Sequence, residues 1–371
     1  MGNKTGKDKK KNVSQIKNEN KLNKNKKKET NMINSYTMNV KIELTEVLSL
    51  NSYARYWLDN TFCLFESINK ILYLIFTNVD NSIISYNLID NKIINEIKNA
   101  HCETITNYRY FFDKINYRDL VISISCDDNN IKLWNVDTFE CLLNIINIYE
   151  YGWLNSAFIS NYNNQNYIIA SNCNDELEIL NSQCIRVFDF SGKMIKEINN
   201  SKNRTFFIDS YYDKKLSKNF ILTGNDGFCM SYDYELNKIY HKYLIKFTLD
   251  RTKYCMSIVI DDSKEIIRLI ESIDSIQIWN FHSGQLLQKI NFDDWTYSIC
   301  LWNPNYLFVG CKNANIKFID LKNKKIVKNI IAHKEKVLTI KKFDHFKYGE
   351  FLITQDSDDN NIKLWRIKIG E

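Results

Sequence analysis

The chain has very little proline and glycine. Pro304 is the single proline, and only ten glycines occur among the 371 residues. Turns must therefore rely on asparagine and aspartate, which tolerate left-handed backbone conformations and bond to their own backbone. Asparagine, lysine, isoleucine, tyrosine and phenylalanine are enriched along the whole chain, so asparagine content alone indicates no function.

The sequence also lacks metal-binding and export signals. Its ten cysteines are scattered without a CxxC pair, and the tight ligand spacing of a zinc finger is missing. There is no signal peptide and no apolar run of about 18 residues. These absences predict a reduced, soluble, cytoplasmic protein that uses its cysteines as small core residues.

Enzyme motifs are missing as well. The sequence contains no GxSxG, P-loop, HExxH or GxGxxG pattern, and its five histidines are spread along the chain. We therefore expect no catalytic residue, no cofactor, no bound metal and no small-molecule substrate.

The first 30 residues differ from the rest in charge. They hold eleven lysines against Asp8, Glu19 and Glu29, a net charge of +8, whereas the whole chain carries +6. With almost no apolar side chains to bury, residues 1–34 are predicted to be a disordered tail rich in lysine and asparagine.

Several roles for this tail remain open. Lys10 and Lys11, a twelve-residue spacer and the run Lys24–Lys28 have the layout of a bipartite nuclear import signal. The same charge attracts nucleic acid or an anionic membrane. The opening MGNKTG approaches a myristoylation site, with Gly6 in place of the expected Ser or Thr. A solvated leader without a specific role is the simplest alternative.

One octapeptide, DDNNIKLW, occurs at residues 127–134 and again at 358–365. Similar segments recur through the chain. Each is a short apolar stretch that ends in one anchor residue. The anchors are Tyr86, Trp134, Phe188, Tyr232, Trp279, Ile319 and Trp365. They are spaced by 48, 54, 44, 47, 40 and 46 residues, which indicates seven repeated units.

Each unit has the same internal order. An alternating segment is followed by a run that is apolar almost throughout, such as DLVISIS or NYLFVG, as expected for a strand buried on both faces. A polar turn, the anchor segment, a second turn and an amphipathic segment complete the unit. The pattern predicts four antiparallel strands per unit and an all-β fold without βαβ elements.

These repeats resemble the WD40 family over about 330 residues. The Gly-His that opens the family's repeat is matched by Ala100-His101 and Ala332-His333, and its closing Trp-Asp by segments such as Trp134-Asn135. The resemblance implies a seven-bladed β-propeller over residues 35–371, with four strands in each blade.

In the WD40 family a histidine, a strand hydroxyl, a turn aspartate and the strand tryptophan form a buried hydrogen-bonded set. By resemblance, one set is His101, Ser123 or Ser125, Asp128 and Trp134, and another is His333, Thr354, Asp359 and Trp365. The other blades retain parts of the motif, among them Asp226, Tyr232 and Trp279. The offset between hydroxyl and tryptophan predicts one extra residue in the turn. These residues are expected to be structural.

The last unit ends at its third strand. Residues 39–50 have strand character and precede the first full unit, so we expect them to complete the last blade and remove two open sheet edges.

Candidate binding residues lie just before three first strands, on the top face where WD40 proteins commonly bind partners. They are Trp57, Trp153 and Trp295 with their neighbours Arg55, Tyr151, Asp293 and Asp294. Aromatic and arginine side chains often dominate interfaces, although each tryptophan could instead cap its own blade. An acidic insertion at residues 172–183 is either a docking loop or a tolerated insertion.

The sequence thus predicts a WD-repeat scaffold or adaptor that mediates protein–protein interactions in a multiprotein complex, with partners of unknown identity. The alternative is an adaptor recruited to anionic membrane or nucleic acid by the basic tail. A nuclear location, directed by the bipartite-like basic segments of the tail, is the alternative to a cytoplasmic one.

Overall fold

The computed structural model describes most of the chain after the basic tail. The described residues are 41–54, 60–149, 153–173, 184–199, 204–225, 227–234, 238–244, 257–263, 268–272, 275–292, 294–345, 349–357 and 361–370. The predicted disordered tail, residues 1–34, lies outside them. No described segment forms a helix that is long and apolar enough to cross a membrane.

The described ranges contain 28 strands. Strand β1 is Lys41–Asn51. Sheet 1 contains β2 (Phe62–Glu66), β3 (Leu72–Thr77), β4 (Ile83–Asn87) and β5 (Lys92–Ile97). Sheet 2 contains β6 (Ile105–Asp113), β7 (Arg118–Ser125), β8 (Asn130–Asn135) and β9 (Cys141–Ile145). Sheet 3 contains β10 (Trp153–Tyr162), β11 (Gln165–Cys173), β12 (Cys184–Asp189) and β13 (Met194–Asn199).

The later sheets follow the same plan. Sheet 4 contains β14 (Thr205–Asp213), β15 (Lys218–Asn225), β16 (Phe228–Asp233) and β17 (Lys238–Leu244). Sheet 5 contains β18 (Ser257–Asp261), β19 (Arg268–Ser272), β20 (Ser275–Asn280) and β21 (Leu286–Asn291). Sheet 6 contains β22 (Thr296–Asn303), β23 (Tyr306–Cys311), β24 (Asn315–Asp320) and β25 (Lys325–Ile331). The last strands are β26 (Val337–His345), β27 (Gly349–Asp356) and β28 (Asn361–Gly370).

Six sheets therefore use four consecutive strands, and the remaining one is composite. Sheet 7 has the order β1-β28-β27-β26, so it joins one strand from before sheet 1 to the three last strands. Residues 44–367 form one compact unit. The described residues 41–43 and 368–370 belong to a second unit.

Burial explains why the sequence alternates between apolar and amphipathic segments. The second strand of a sheet is buried along almost its whole length, as in β3 and β7, which requires apolar residues on both faces. The fourth strand, as in β5 and β25, is mostly exposed and therefore amphipathic. The strand prediction made from apolar runs is confirmed by these patterns.

Asparagine supplies many of the turns, as predicted from the scarcity of glycine. Fourteen described residues other than glycine have a positive φ angle, and eight of them are asparagines. In the turn of the first octapeptide copy, Asn129 has a φ of 53°. Asparagine adopts this conformation at low cost because its short side chain bonds locally.

Each sheet packs against its neighbours through shared apolar cores, and the first sheet also packs against the last. Phe62 of sheet 1 lies in one buried cluster with Ile353 and Ile362 of sheet 7. The hydroxyl oxygens of Thr61 and Thr339 are 2.8 Å apart beside this core. Sheets 7 and 1 are therefore joined by direct contacts within residues 44–367.

Candidate functional site

The predicted blade motif forms a connected set in sheet 2. His101 Nε2 lies 2.8 Å from Ser123 Oγ, and Trp134 Nε1 donates to the same hydroxyl at 2.7 Å. His101 Nδ1 lies 3.4 Å from Asp128 Oδ2, while Asn130 N donates to Asp128 Oδ1 at 3.0 Å. Ser123, rather than Ser125, supplies the hydroxyl that both rings contact.

The proton positions in this set follow from the burial of the histidine. Burial lowers the pKa of His101 despite the neighbouring carboxylate. Burial alone would raise the pKa of Asp128, but hydrogen bonds from His101 and the Asn130 N–H outweigh it and lower that pKa. A neutral His101 with its proton on Nδ1 faces the Asp128 carboxylate and accepts the Ser123 proton at Nε2. The Ser123 hydroxyl then accepts from Trp134 and donates to His101, so its contacts with both rings are compatible.

Sheet 7 repeats the arrangement with a different aspartate. His333 Nε2 lies 2.7 Å from Thr354 Oγ1, which also accepts from Trp365 Nε1 at 2.8 Å. The carboxylate beside His333 Nδ1 is that of Asp356, at 3.2 Å. Asp359, which the resemblance selected, lies outside the described residues. Among the described residues, Asp356 at the end of β27 is the carboxylate that contacts the buried imidazole.

The repeated octapeptide is explained by two of its side chains. Its lysine donates to the carbonyl that precedes the histidine, from Lys132 Nζ to Ala100 O at 2.7 Å and from Lys363 Nζ to Ala332 O at 3.1 Å. Its tryptophan bonds to the strand hydroxyl in both copies. The octapeptide therefore ties the third strand to the connection before its own sheet.

The turn in these two sheets carries an extra residue, as predicted. Ile124 pairs with Ile131 in sheet 2, and Gln355 pairs with Ile362 in sheet 7, seven positions apart in each case. In sheet 6 the corresponding pair is Gly310–Ile316, which is one residue closer. The longer turn accounts for the shifted spacing between hydroxyl and tryptophan.

The other predicted motif residues take only part of this role. Tyr232 and Trp279 are both buried anchors in apolar clusters between neighbouring sheets. Burial raises the pKa of Tyr232 despite a hydrogen bond with Thr223, the hydroxyl at the position of Ser123. Asp226 lies outside the described residues.

Trp153 is the exposed member of the predicted top-face set. We define the top face as the edge at which the first strand of each sheet begins. Trp153 begins β10 and is 47% exposed, and Ile146 on the same edge is 59% exposed. Asn129 fixes their connection, since its side chain accepts from Leu154 N at 2.7 Å and its carbonyl accepts from Ile148 N at 3.1 Å.

Trp295 occupies the matching position in sheet 6 but is half-buried. Lys312 Nζ lies 5.3 Å from the centre of its ring. Asp294 accepts from the backbone of Trp295 at 2.8 Å and of Asn313 at 3.2 Å, so its carboxylate fixes the local turn. Four further candidates, Trp57, Arg55, Tyr151 and Asp293, lie outside the described residues, as does most of the acidic insertion.

Sequence reasoning missed a set of buried aspartates at the ends of first strands. Asp113 accepts from Arg118 Nε at 3.0 Å and from Asn166 of sheet 3 at 2.7 Å. Asp213 lies 3.0 Å from His282 Nε2 of sheet 5. These contacts join neighbouring sheets on the bottom face, the edge opposite the top face. The sequence did contain a signal for these aspartates. In both sheets 2 and 4, an Asp-Lys pair stands where the first strand meets its turn.

Among the described residues, we find neither a metal-ligand cluster nor a cysteine thiol with a lowered pKa. No group of three or more His, Cys, Asp or Glu among these residues could hold a metal ion. Burial raises the pKa of Cys63 and of Cys311 to about 12, which keeps both thiols protonated and unreactive near neutral pH.

Three comparisons relate the chain to known proteins. No protein-family profile matches the chain. The U3 small nucleolar RNA-associated protein 21 homolog of Schizosaccharomyces pombe is 25% identical over 116 residues, 31% of this chain. The matched stretch spans only 12% of that protein's length.

A solved structure covers far more of the chain. One chain of the structure described as "Crystal Structure of Mitotic Checkpoint Complex" matches with a TM-score of 0.65 and 12% sequence identity. The match covers 88% of this chain and 93% of that one. At this identity the likeness shows the fold alone. The prediction of an all-β propeller is confirmed.

Proposed function

We propose that residues 35–371 form one WD40-like propeller domain whose composite sheet 7 acts as the seventh blade. The position of β1 beside β28 and the apolar core shared by sheets 7 and 1 support this closure. The ring then has no open sheet edge between its first and last blades. Residues 1–34 form a separate basic tail in this proposal.

We infer that the domain is a non-catalytic scaffold that holds other proteins in a multiprotein complex. The observation that carries this proposal is Trp153, a large aromatic side chain left 47% exposed on a backbone fixed by Asn129. Rigidly presented tryptophan is a frequent energetic centre of protein interfaces. The exposed Ile146 extends the apolar surface on the same edge.

Trp295 and Asp294 contribute to the same surface in a different way. The Lys312 ammonium group lies over the ring of Trp295. Together the two side chains offer a partner part of an aromatic ring and a positive charge. The proposed surface also includes the neighbours Trp57, Arg55, Tyr151 and Asp293.

The test replaces Trp153 by alanine. The matched control is Ile239→Ala on β17, which changes an aliphatic side chain that is 56% exposed away from the top face. We expect both variants to melt like the wild type. Trp153→Ala should reduce recovery of co-purified proteins by about tenfold or more, equivalent to at least about 1.4 kcal/mol of binding. Equal recovery by both variants would refute the top-face assignment.

A second candidate function rests on the tail. Eleven lysines within 30 residues favour contact with nucleic acid or an anionic membrane, and the matched fission yeast protein is named for its association with a small nucleolar RNA. A nuclear location would fit this alternative. Binding through the tail should weaken steeply between low and physiological salt, whereas top-face protein binding should weaken modestly.

A further inference from the structure

Two turns on the bottom face share a rigid design. Residues 113–118 join β6 to β7, and residues 213–218 join β14 to β15. Asp113 Oδ1 accepts from Ile115 N at 3.1 Å, and Asp213 Oδ1 accepts from Lys215 N at 2.8 Å. Because the aspartates are buried and bonded to the turn backbone, the side chains that follow them are held outward.

A side-chain contact links the strands that lead into these turns, which belong to sheets 2 and 4. Arg109 Nη1 of β6 lies 3.0 Å from Asp209 Oδ2 of β14, and Arg109 Nη2 donates to Ile208 O at 3.3 Å. Arg109 and Asp209 each precede the buried aspartate of their own turn by four residues. Each turn therefore begins about 13 Å further along its strand than the contact between Arg109 and Asp209.

Four large apolar side chains in or directly before these turns are exposed. They are Ile115 (53%), Tyr117 (70%), Tyr212 (51%) and Leu216 (46%). The ring of Tyr117 is braced edge-on by Phe112 at 5.5 Å, so this exposed side chain is positioned before any partner binds. Two turns that expose apolar side chains on the same face offer anchor points for a partner that spans both.

The exposed charges of the two turns are positive. The carboxylates of Asp113 and Asp213 are buried and paired with Arg118 and His282. The charged side chains that the turns expose are those of Lys114, Lys214 and Lys215. Such a surface attracts an acidic partner, because complementary charge speeds encounter and selects against basic segments.

The apolar residues distinguish a peptide from a nucleic acid. Binding of single-stranded nucleic acid relies on aromatic platforms along a basic groove. Ile115 and Leu216 offer no stacking face, and their branched side chains suit aliphatic or aromatic anchors of a peptide. The mixture of aliphatic, tyrosine and lysine side chains therefore favours a protein ligand.

We propose that this surface, formed by Ile115, Tyr117, Tyr212, Leu216, Lys114 and Lys214, is a second docking site that binds an acidic peptide segment carrying apolar anchors. It lies on the face opposite Trp153 and is independent of the top-face proposal. A chain with both sites would connect two partners through one rigid domain.

The test selects phage-displayed random 12-residue peptides on the full chain. Enriched peptides are then titrated against the wild type and three variants: Lys114→Glu with Lys214→Glu, Ile115→Ser with Leu216→Ser, and Trp153→Ala as the top-face control. All substituted side chains except that of Trp153 lie in the two bottom-face turns. A random pool of 12-nucleotide single-stranded RNA serves as competitor.

We expect enriched peptides that are acidic and contain aliphatic or aromatic residues. They should lose at least tenfold in affinity for each double variant and bind Trp153→Ala like the wild type. The proposal is overturned if the peptides are not acidic, if both double variants bind them normally, or if RNA displaces them from this surface. Unchanged melting temperatures of the double variants show that any loss is local. Failure of the top-face proposal would appear only in the Trp153→Ala recovery experiment.

Discussion

His333 Nδ1 lies 3.2 Å from Asp356 Oδ2, and both side chains are fully buried. The pair links the connection before β26 to the end of β27, two segments that are 23 residues apart. Asp356 also accepts from Asn361 N at 3.0 Å, so one carboxylate holds both the histidine and the turn that leads to β28. Buried carboxylates persist only when they are bonded in this way.

Replacing Asp356 by alanine should lower the free energy of unfolding by about 1–3 kcal/mol, because His333 and the Asn361 N–H each lose a buried acceptor. Urea denaturation measures the change. Asp344→Ala is the control on β26, since that side chain is 60% exposed and its ion pair with Lys342 should contribute less than about 1 kcal/mol. If the two variants are equally stable, Asp356 does not fix the turn.

A second prediction concerns the strand hydroxyl in sheet 2. Ser123→Ala removes the acceptor of Trp134 Nε1 and the partner of His101 Nε2, and should cost about 1–3 kcal/mol. Ser85→Ala is a matched control, because Ser85 is equally buried and its hydroxyl has no hydrogen-bond partner among the described residues. That substitution should be nearly neutral. Similar losses from both would mean that burial, and not hydrogen bonding, sets the cost.

Stability should depend on pH through His101. Burial lowers the pKa of His101 below the ordinary value of 6.5. In the pH range between the lowered pKa and 6.5, the unfolded chain therefore binds a proton that the folded chain does not. The histidine therefore contributes less stability as the pH falls below about 6.5. His101→Gln should destabilise the protein more at about pH 7.5 than at about pH 5. Urea denaturation at both values tests this, and a gap that widens on acidification contradicts it.

Asp128 should affect stability in a lower pH range than His101 does. Hydrogen bonds hold its pKa below the usual value in spite of burial, so its contribution is complete above about pH 4 and is lost as the pH falls further. The destabilisation caused by Asp128→Asn should shrink accordingly in strong acid. A loss of its effect already at pH 6 would show that the carboxylate is not stabilised by these bonds.

Closure of sheet 7 can be tested by truncation. Removing residues 1–30 should leave the melting temperature unchanged. Removing residues 1–50 deletes most of β1, including Leu48 and Leu50, which pack against the core shared with Ile353. That loss and the exposed edge of β28 should cost roughly 3 kcal/mol or more. Equal melting of the two truncated chains would show that β1 does not close the ring.

Much of the fold could be predicted from the sequence because the signals were local and repeated. The apolar second strands, the anchor residues and the missing strand of the last unit all appear as linear patterns. The extra turn residue in sheets 2 and 7 followed from the shifted spacing of Ser123 and Trp134. Such features depend on neighbouring positions along one strand or turn.

The carboxylate of the last sheet could not be chosen from the sequence in the same way. Asp356 stands where sheet 2 has Ser125, so the comparison of the two octapeptides gives no signal for its contact with His333. The pairing of Arg109 with Asp209 leaves no periodic signal, because it joins different sheets 100 residues apart. The exposure of Trp153 and the half-burial of Trp295 also depend on local packing that equivalent sequence positions do not specify.

Partner recovery with and without the tail tests the scaffold proposal most directly. The full chain and a chain lacking residues 1–30 would be purified from nuclease-treated extract at physiological salt, and the recovered proteins quantified by mass spectrometry. We expect the same partner proteins at similar yield from both chains, because the propeller holds them. Loss of all partners from the shortened chain would show that the tail and its anionic ligands carry the function.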